Sequence, residues 1–444
     1  MIGVTALGAV LGLGALPGAT ASTPTAAHVQ VATAAETPVA ARKLKRDHYN
    51  PPAGLRFNEP YNRGGKKSST IRRHVLRSID STRRGDVIQM AAWNVRGRSW
   101  QNSIIRAYKR GVAVQIIMDR NNWTREHPNP EAAAVFKALK GKEAGPVQSW
   151  LRTCKSSCRG TKGIPHSKFF LFSRVQDRHF VTMFGSNNAT DVAANDQWND
   201  LYTFVNNKAV YDQFVAIFNE MKLDKSVGSK GYRAFDVNKT ENISFYPYKG
   251  AIPSKIGDPD MARLNQIKCT GPGQAGATKI RIMQTAIHGQ RGINLAKKLV
   301  QLKKQGCDIR IVYALMGGEV YRMLGAARIQ KLQLAYDRDR NGVYDIYLHM
   351  KSMAIRGFYA GQPNYHVVFN GSANWSAVPL ASDEVVGEFR EVGMTNAYIN
   401  WTDFLYNHRP GGWGPVNLAP IKATSVEGRV VPVDPYALMK ENGL

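Results

Sequence analysis

The chain has few acidic residues for its length. Its 444 residues include 33 Asp and Glu against 60 Lys and Arg, which gives a formal net charge of +27 at pH 7. A surface this basic favours polyanions such as nucleic acid or anionic lipid headgroups. A solvated basic surface with no cognate polyanion accounts for the same charge. The charge alone therefore does not choose between DNA and a membrane.

Beyond its N-terminus the chain has no apolar run long enough to span a bilayer. Residues 1–21 are apolar and small and end in an Ala-Thr-Ala sequence, which is typical of a secretory signal peptide. They lack the usual basic start, because no Lys or Arg precedes Arg42. Residues 22–48 then predict a flexible basic lead-in. We therefore expect a secreted, extracellular protein; a membrane anchor is the alternative, disfavoured by the many Gly and Ala residues.

Cysteine is scarce, with four residues at Cys154, Cys158, Cys269 and Cys307. An even number in an exported chain predicts two disulfides, for which three pairings are possible. We favour Cys154–Cys158, which would close a tight loop, and Cys269–Cys307. A zinc site is the alternative, but this spacing is a weak zinc signal. Buried free thiols would be expected if the protein were cytosolic.

Strands and helices alternate along the chain. The predicted elements of the first part are helices in SSTIRRHVLRSIDSTRRG and NSIIRAYKRG, strands in DVIQMAAW and VAVQIIMD, and a helix in EAAAVFKALK with Asn129 as its cap and Pro130 at its first position. Later in the chain the same order recurs, as a strand in TKIRIMQTAI, a helix in GINLAKKLVQLKKQG and a strand in CDIRIVYAL. The alternation predicts an α/β sandwich in each half. Trp93 and His288 follow the first strand of this unit in each half, and loops there could flank a site.

We place the first half at residues 49–240 and the second half at residues 241–444. The segment near residues 235–265 is rich in Pro, Gly and Asn and is predicted to bridge them. The fold class expected from the sequence is therefore α/β, with two similar halves.

The most informative pattern is a short motif that occurs twice. His166 and Lys168 stand two residues apart in IPHSKFFLF, and His349 and Lys351 do so in YLHMKSMAI. Because side chains alternate along a strand, each pair projects from one side of its strand. Two such strands brought together would place two imidazoles and two ammonium groups around one small volume.

This set of side chains suits the cleavage of a phosphodiester. One His attacks phosphorus and forms a covalent intermediate, while the other protonates the leaving alkoxide and then activates water. Lys168 and Lys351 would stabilise the developing negative charge, so no metal ion or other cofactor is required.

Each motif is followed by a Gly-Ser-x-Asn segment, in FGSNNAT and FNGSANWS. We expect Ser186, Asn188, Ser372 and Asn374 to donate hydrogen bonds to the phosphate oxygens.

Each catalytic imidazole needs a partner that holds it in one tautomer. Candidates lie at matching places after each Gly-Ser-x-Asn segment. They are Asp200, 12 residues after Asn188, and Glu384, 10 residues after Asn374. Asn199 is the alternative in the first half.

The repeated H-x-K with a downstream Gly-Ser-x-Asn resembles the phospholipase D superfamily, and the similarity extends over most of residues 49–410. The resemblance implies a phospholipase D-like fold with two pseudo-symmetric α/β sandwich halves and one active site at their interface. It also implies a phosphohistidine intermediate, with His166 as the nucleophile and His349 as the general acid and base. The family motif continues to an Asp that is absent here, because Ser173 and Arg356 occupy that position.

A second pattern, from Asp337 to Asp345, resembles the start of a calcium-binding loop. The twelfth position is Leu348 rather than Glu, and two Arg residues dilute the negative charge. A hairpin turn at Asn341-Gly342 that leads into the strand of His349 is the alternative. A structural calcium ion is thus a minor expectation.

Taken together, these patterns lead to the hypothesis of a secreted phospholipase D-type hydrolase, a monomer acting at a phospholipid membrane surface. It would release phosphatidic acid, or exchange the headgroup if an alcohol replaces water. A metal-independent nuclease is the alternative within the enzymes, with nucleic acid as substrate. A polyanion-binding surface protein without turnover is the alternative outside them. No protein partner is predicted.

Overall fold

A computed structural model describes most of the chain. The described residues are 47–60, 69–144, 148–248, 257–337 and 344–409, together with the backbone of a strand pair, Thr424–Val426 and Arg429–Val431. The predicted signal peptide and nearly all of the lead-in lie outside them. So does the centre of the predicted calcium loop, residues 338–343.

The first half supplies nine strands and five helices within the described residues. The strands are β1 Gly54–Asn58, β2 Val87–Ala91, β3 Val95–Arg96, β4 Ala113–Asp119, β5 Trp150–Cys154, β6 Phe169–Val175, β7 Arg178–Gly185, β8 Ala189–Thr190 and β9 Gln197–Phe204. The helices are α1 Thr70–Ser81, α2 Arg98–Lys109, α3 Pro130–Leu139, α4 Asp191–Asn195 and α5 Lys208–Met221.

The rest of the described chain continues the same alternation. Its strands are β10 Arg233–Asp236, β11 Glu241–Phe245, β12 Ile267–Lys268, β13 Lys279–Ile287, β14 Asp308–Met316, β15 Gln330–Gln333, β16 Ala335–Tyr336, β17 Ile346–Leu348, β18 Lys351–Tyr359, β19 Gln362–Gly371, β20 Val385–Phe389, β21 Thr424–Val426 and β22 Arg429–Val431. Its helices are α6 Pro259–Asn265, α7 Gly289–Lys304, α8 Gly318–Ala326 and α9 Val392–Asn407. The elements predicted from periodicity are all present, and Asn129 caps α3 by accepting a hydrogen bond from the Ala132 amide at 3.0 Å.

Two large sheets carry the fold, and their central strands follow the same order. One runs β9-β7-β6-β2-β4-β5, and the other runs β20-β19-β18-β13-β14-β15. In each, three parallel strands (β2, β4 and β5, or β13, β14 and β15) are joined to an antiparallel set. The predicted α/β class with two similar halves is confirmed.

The inner faces of the two sheets share one apolar core with α5 and α9, in which the Phe184 and Phe389 rings stack at 6.4 Å. On the outer faces, α1 to α3 cover the first sheet, and α6 to α8 cover the second. This arrangement gives each amphipathic helix one sheet face to bury its apolar side against.

The halves exchange strands, which the predicted boundary at residue 240 did not anticipate. β10 lies in the second sheet although its residues belong to the first half. Conversely, β16 and β17 of the second half extend the first sheet, where Tyr347 and Leu348 pair in parallel with β9. The segment near 235–265, predicted as a bridge, supplies β11 and α6. Sequence periodicity identifies strands but not the sheet they join.

Both favoured disulfides are present. Cys154 at the end of β5 is bonded to Cys158, and Cys269 after β12 is bonded to Cys307 before β14. Within the described residues, no helix is long and apolar enough to cross a membrane.

We expect the two disulfides to contribute unequally to stability. The bonded residues are 38 positions apart in Cys269–Cys307 and 4 in Cys154–Cys158. Because closing a longer loop removes more unfolded-state entropy, the paired Cys→Ala variants should lose about 4 and about 2 kcal/mol respectively. Urea unfolding monitored by circular dichroism measures both. Equal losses, or a larger loss for Cys154→Ala/Cys158→Ala, would contradict the loop-length argument.

Candidate active site

The two H-x-K motifs lie at the sheet edges where the parallel strands end. β6 begins at Phe169, opposite Ala91 at the end of β2, and Lys351 begins β18 opposite Gln284 near the end of β13. His349 stands between β17, a strand of the first sheet, and β18, a strand of the second. The chain thus crosses from the first sheet to the second at His349. This crossing places the His349 imidazole next to the first half.

The four motif side chains are buried and act on one another. His166, Lys168, His349 and Lys351 are at most 8% exposed. Each ammonium group donates a hydrogen bond of 2.6 Å to the carbonyl of its own motif His. Both Lys residues lower the pKa of both imidazoles, so the two motifs form one electrostatic unit.

His166 is held by a carboxylate from the second half. Its Nδ1 lies 2.9 Å and 3.0 Å from the two oxygens of Glu384. Burial raises the pKa of Glu384, but His166 and Lys168 more than offset burial, so the pKa stays below its usual value. An ionised carboxylate only accepts hydrogen bonds, so Nδ1 of His166 carries the proton. Its Nε2 therefore keeps a lone pair.

His349 is held by an amide from the first half. Its Nδ1 lies 2.9 Å from Asn199 Oδ1. The Asn199 Nδ2 donates to the Ala193 carbonyl at 3.0 Å and to Gln197 Oε1 at 3.2 Å, so its Oδ1 is the acceptor for the ring. His349 consequently also has its proton on Nδ1. Each imidazole is oriented by the opposite half.

The prediction that Asp200 orients a His is wrong, and the alternative, Asn199, occupies that role. The Asp200 carboxylate instead accepts hydrogen bonds from the Tyr398 hydroxyl at 2.6 Å, the Ser186 amide at 3.1 Å and Asn370 at 3.2 Å. Because neighbouring residues of β9 point to opposite faces, Asn199 and Asp200 cannot both face the site.

The two serines predicted to bind phosphate form hydrogen bonds with the residues that hold the imidazoles. Ser186 donates to Asn199 Oδ1 at 3.0 Å, and the Ser372 hydroxyl is hydrogen-bonded to Glu384. Each hydroxyl also accepts from the strand behind it, at the amides of Asp200 and Val385. Ser186 and Ser372 thus contact the residues that orient the imidazoles, and their role as donors to phosphate stays a prediction.

The other parts of the Gly-Ser-x-Asn segments are equally confined. A Cβ at Gly185 would overlap the Asp200 carbonyl oxygen, and one at Gly371 would overlap that of Val385, so only glycine allows this approach. Asn188 and Asn374 are buried, at 0% and 2% exposure. Their role as donors to phosphate stays a prediction.

The residues that replace the motif Asp are remote from this centre. Ser173 and Arg356 lie five positions beyond their motif Lys, roughly 16 Å along an extended strand. Ser173 accepts a hydrogen bond from the Val87 amide at 2.8 Å, whereas Arg356 is exposed and donates to Asn396 at 3.4 Å. Neither replacement removes a group from the imidazoles or the ammonium groups.

Both imidazoles are neutral at pH 7. Burial lowers the pKa of His166 to about 4; Glu384 opposes the shift and the two Lys residues add to it. Burial and the charges of Lys351 and Lys168 hold the pKa of His349 well below its usual value. A neutral imidazole with Nδ1 protonated presents Nε2 as a nucleophile or base.

Trp93 lies beside His166, and Asp119 contacts Trp93. The Trp93 ring lies 6.3 Å from the imidazole, and its indole N–H donates to Asp119 Oδ2 at 3.1 Å. Burial raises the pKa of Asp119 to about 6, with Lys168 opposing the shift. Asp119 is not among the residues predicted from the sequence; its position at the C-terminal end of a parallel strand was the available signal.

Within the described ranges, no group of three or more His, Cys, Asp or Glu side chains is arranged to hold a metal ion. The strands that flank the predicted calcium loop, β16 and β17, pair antiparallel.

Comparisons with known proteins agree with this architecture. Residues 75–222 match the family model described as "Cardiolipin synthase, PLD-like domain". No curated protein sequence matches the chain significantly.

Solved structures give a wider match. The chain is similar in fold to phosphatidylserine synthase from Haemophilus influenzae, with 10% identity, a TM-score of 0.52 and coverage of 79% of this chain and 85% of that one. Nuc from Salmonella typhimurium, a phospholipase D family member, matches at 22% identity and a TM-score of 0.28, over 38% of this chain and 93% of that one. Polyphosphate kinase from Porphyromonas gingivalis matches at 10% identity and a TM-score of 0.46, over 79% of this chain but only 49% of that one.

Replacing the carboxylate of Glu384 by an amide, and the amide of Asn199 by a carboxylate, should shift the pKa values of the two imidazoles in opposite directions. Because Glu384 raises the pKa of His166, Glu384→Gln should lower that pKa further. Asn199→Asp places a carboxylate beside His349 and should raise the pKa of that imidazole. NMR titration of the ring resonances measures both, with His179, an exposed His, as the internal control. Shifts in the reverse directions would contradict the assigned pairs.

Proposed function

We propose that this chain is a secreted phosphodiesterase that hydrolyses phospholipids through a phosphohistidine intermediate. The match of residues 75–222 to the PLD-like family model, and the fold shared with phosphatidylserine synthase, support the proposal. The observation that carries the proposal is the pair of buried neutral imidazoles, His166 and His349, each held in one tautomer beside two ammonium groups. Phosphodiesterase chemistry of the superfamily's type needs such a nucleophile, such an acid and such fixed cations.

His166 is the nucleophile. The Nε2 lone pair attacks phosphorus, and the ring gains positive charge as the N–P bond forms. Glu384 stabilises that charge through its contact with Nδ1, whereas the neutral amide of Asn199 offers His349 no comparable stabilisation. The carboxylate therefore distinguishes the nucleophile from its pseudo-symmetric counterpart.

His349 is the general acid and then the general base. An anionic phosphodiester between Lys168 and Lys351 offsets the ammonium charges that hold down the pKa of His349, so substrate binding promotes its protonation. The protonated Nε2 gives its proton to the leaving alkoxide as the P–O bond breaks. In the second step His349 takes a proton from water, the water oxygen bonds to phosphorus, and the N–P bond breaks to free His166.

An anionic phospholipid is the substrate class that best fits both the net positive charge of the chain and the exposed side chains near the site. Arg120 and Lys155 are exposed directly after β4 and β5, at the edge that carries the site. In the other half, Tyr321 of α8, which follows β14, and Val378, four residues after Asn374, are large apolar side chains with 50% and 37% exposure. Exposed basic and apolar groups in the segments that follow these strands suit an anionic lipid surface. The family model is named for cardiolipin synthase, whose name refers to an anionic lipid.

A nuclease remains the second candidate, because the net charge of +27 suits nucleic acid equally well. Binding without turnover is less well supported, since both imidazoles and both ammonium groups are retained and oriented. The two disulfides favour an oxidising compartment and so support secretion.

We expect the purified protein to release phosphatidic acid from liposomes that contain phosphatidylglycerol or cardiolipin, in the presence of EDTA. His166→Ala should reduce the rate at least ~10³-fold because it removes the nucleophile, while His179→Ala serves as a matched control at an exposed His. Lipid products are measured by mass spectrometry, with single- and double-stranded DNA assayed in parallel. Cleavage of DNA without lipid turnover would assign the protein to the nucleases. Binding of both substrates without turnover of either would indicate a non-catalytic protein.

The roles of the two imidazoles are tested by trapping the intermediate. His349→Ala removes the base of the second step, so acid-labile phosphate should accumulate on His166 when a substrate with a good leaving group is supplied. Peptide mass spectrometry at neutral pH locates the label. Phosphate on His349 in the His166→Ala variant, with none on His166 in the reciprocal variant, would reverse the assignment.

A further inference from the structure

We propose that Asp383 is a positioning residue that sets the geometry of the His166–Glu384 pair, and that the loop closed by the Cys154–Cys158 disulfide holds Asp383 in place. The inference deepens the proposed function and rests on it. Asp383 lies outside the Gly-Ser-x-Asn segments and contacts neither motif Lys in the described hydrogen bonds.

The backbone of Asp383 is paired with the segment that carries His166. The His166 amide donates to the Asp383 carbonyl at 3.0 Å, and the Asp383 amide donates to the Ile164 carbonyl at 3.0 Å. The next residue, Glu384, contacts His166 Nδ1 at 2.9 Å. Two consecutive residues of the second half therefore hold both the backbone and the ring of the proposed nucleophile.

The Asp383 carboxylate is buried against the disulfide loop. It is 1% exposed, and its Oδ2 accepts a hydrogen bond of 2.6 Å from the Cys158 amide. The Ser157 hydroxyl and the Arg159 amide lie close enough to favour its ionised form. Burial raises the pKa of Asp383 to about 7, against the opposing effects of the Arg159 charge and these donors. Three consecutive residues thus form a site for this one carboxylate.

Arg159 connects the same loop to both halves. Its guanidinium is fully buried and donates to Glu220 of α5 at 2.9 Å, to the Gly231 carbonyl at 2.8 Å and to the Tyr246 carbonyl at 2.8 Å. Nearby, a Cβ added at Gly163 would lie 2.6 Å from the Ala381 carbonyl carbon, so the two segments meet backbone to backbone. These contacts fix the position of the segment that contains Asp383 and Glu384.

Removing the carboxylate would leave the buried Cys158 amide without its acceptor. An unsatisfied buried donor is costly, so the loop and the Asp383 segment would separate to admit water. Glu384 and the His166 amide would move with that segment. A nucleophile displaced by a fraction of an ångström loses rate while the substrate still binds.

We expect Asp383→Ala to lower kcat about 10- to 100-fold, the range seen when a partner of an active-site ligand is removed. KM should change little. The substrate is bis(4-nitrophenyl) phosphate, a soluble phosphodiester that needs no lipid surface. Asp383→Asn keeps an acceptor oxygen for the Cys158 amide and should recover part of the loss. Full kcat in Asp383→Ala would overturn the proposal.

A double-mutant cycle separates positioning from general destabilisation. If Asp383 acts through Glu384, then Asp383→Ala combined with Glu384→Gln should be no more than about twofold slower than Glu384→Gln alone, because both changes disturb the same contact. Independent effects would multiply, and that result would contradict the proposal.

The two disulfides provide a matched control. Cys154→Ala/Cys158→Ala should lower kcat as Asp383→Ala does. Cys269→Ala/Cys307→Ala should keep kcat although it costs more stability, because that bond lies before β14, at the end of the strand away from the site. Assays are run well below the unfolding temperature of each variant. Equal losses of kcat in the two pairs would attribute the effect to stability and overturn the proposal.

The positioning role also has a readout that does not need turnover. In wild-type protein the ¹⁵N resonances of the His166 ring should report a single tautomer with the proton on Nδ1, and Asp383→Ala should give averaged values. An unchanged tautomer in that variant would contradict the proposal. A wild-type protein that cleaves neither the soluble probe nor lipid would contradict the proposed function, and the ring resonances would still decide the role of Asp383.

Discussion

The hydrogen bonds that cross between the halves are the constraint on which the site depends. Glu384 of the second half holds His166 of the first, and Asn199 of the first half holds His349 of the second. Burying an imidazole without a partner for its N–H would be unfavourable, so each half satisfies a polar group of the other. The same contacts place two ammonium groups together in a buried volume, where an anionic phosphodiester is the natural counter-charge. The same hydrogen bonds therefore join the two halves and orient the imidazoles of the site.

Within this reciprocal arrangement, a single difference is the basis for the two proposed roles. Equivalent positions hold Glu384 and Asn199, and each is supported by the serine of its own Gly-Ser-x-Asn segment. A carboxylate stabilises a ring that becomes positively charged on phosphorylation, while an amide only orients its ring. Two halves of similar topology can thus supply a nucleophile and an acid. The absent motif Asp does not enter this scheme, since Ser173 and Arg356 lie far along their strands.

Much of this could be predicted from local sequence, and the remainder depends on tertiary structure. Periodicity identified the strands and helices, and the spacing of His and Lys indicated the chemistry. The favoured cysteine pairing, one of three possible, was also correct. The choice between Asn199 and Asp200 required the phase of β9, because one residue of slip exchanges the face that points to the site. The contacts of the two serines with Asn199 and Glu384 were not predicted, because composition does not reveal which neighbouring side chain a hydroxyl meets. The exchange of β10 and β17 between sheets is set by long-range packing, which short windows of sequence do not contain.

The exchange of β17 has a consequence for the order in which the protein matures. Tyr347 lies beside Gln197 in the first sheet, 150 positions later in the chain, and their side chains are hydrogen-bonded. The start of β9 therefore lacks this neighbour until about half of the second half has been synthesised. Bringing such distant segments together is entropically costly and slow, and an uncovered strand invites wrong pairing in the interval. A nascent first half therefore has an incomplete sheet and an incomplete site. The site is complete only when the last strands of both sheets are in place.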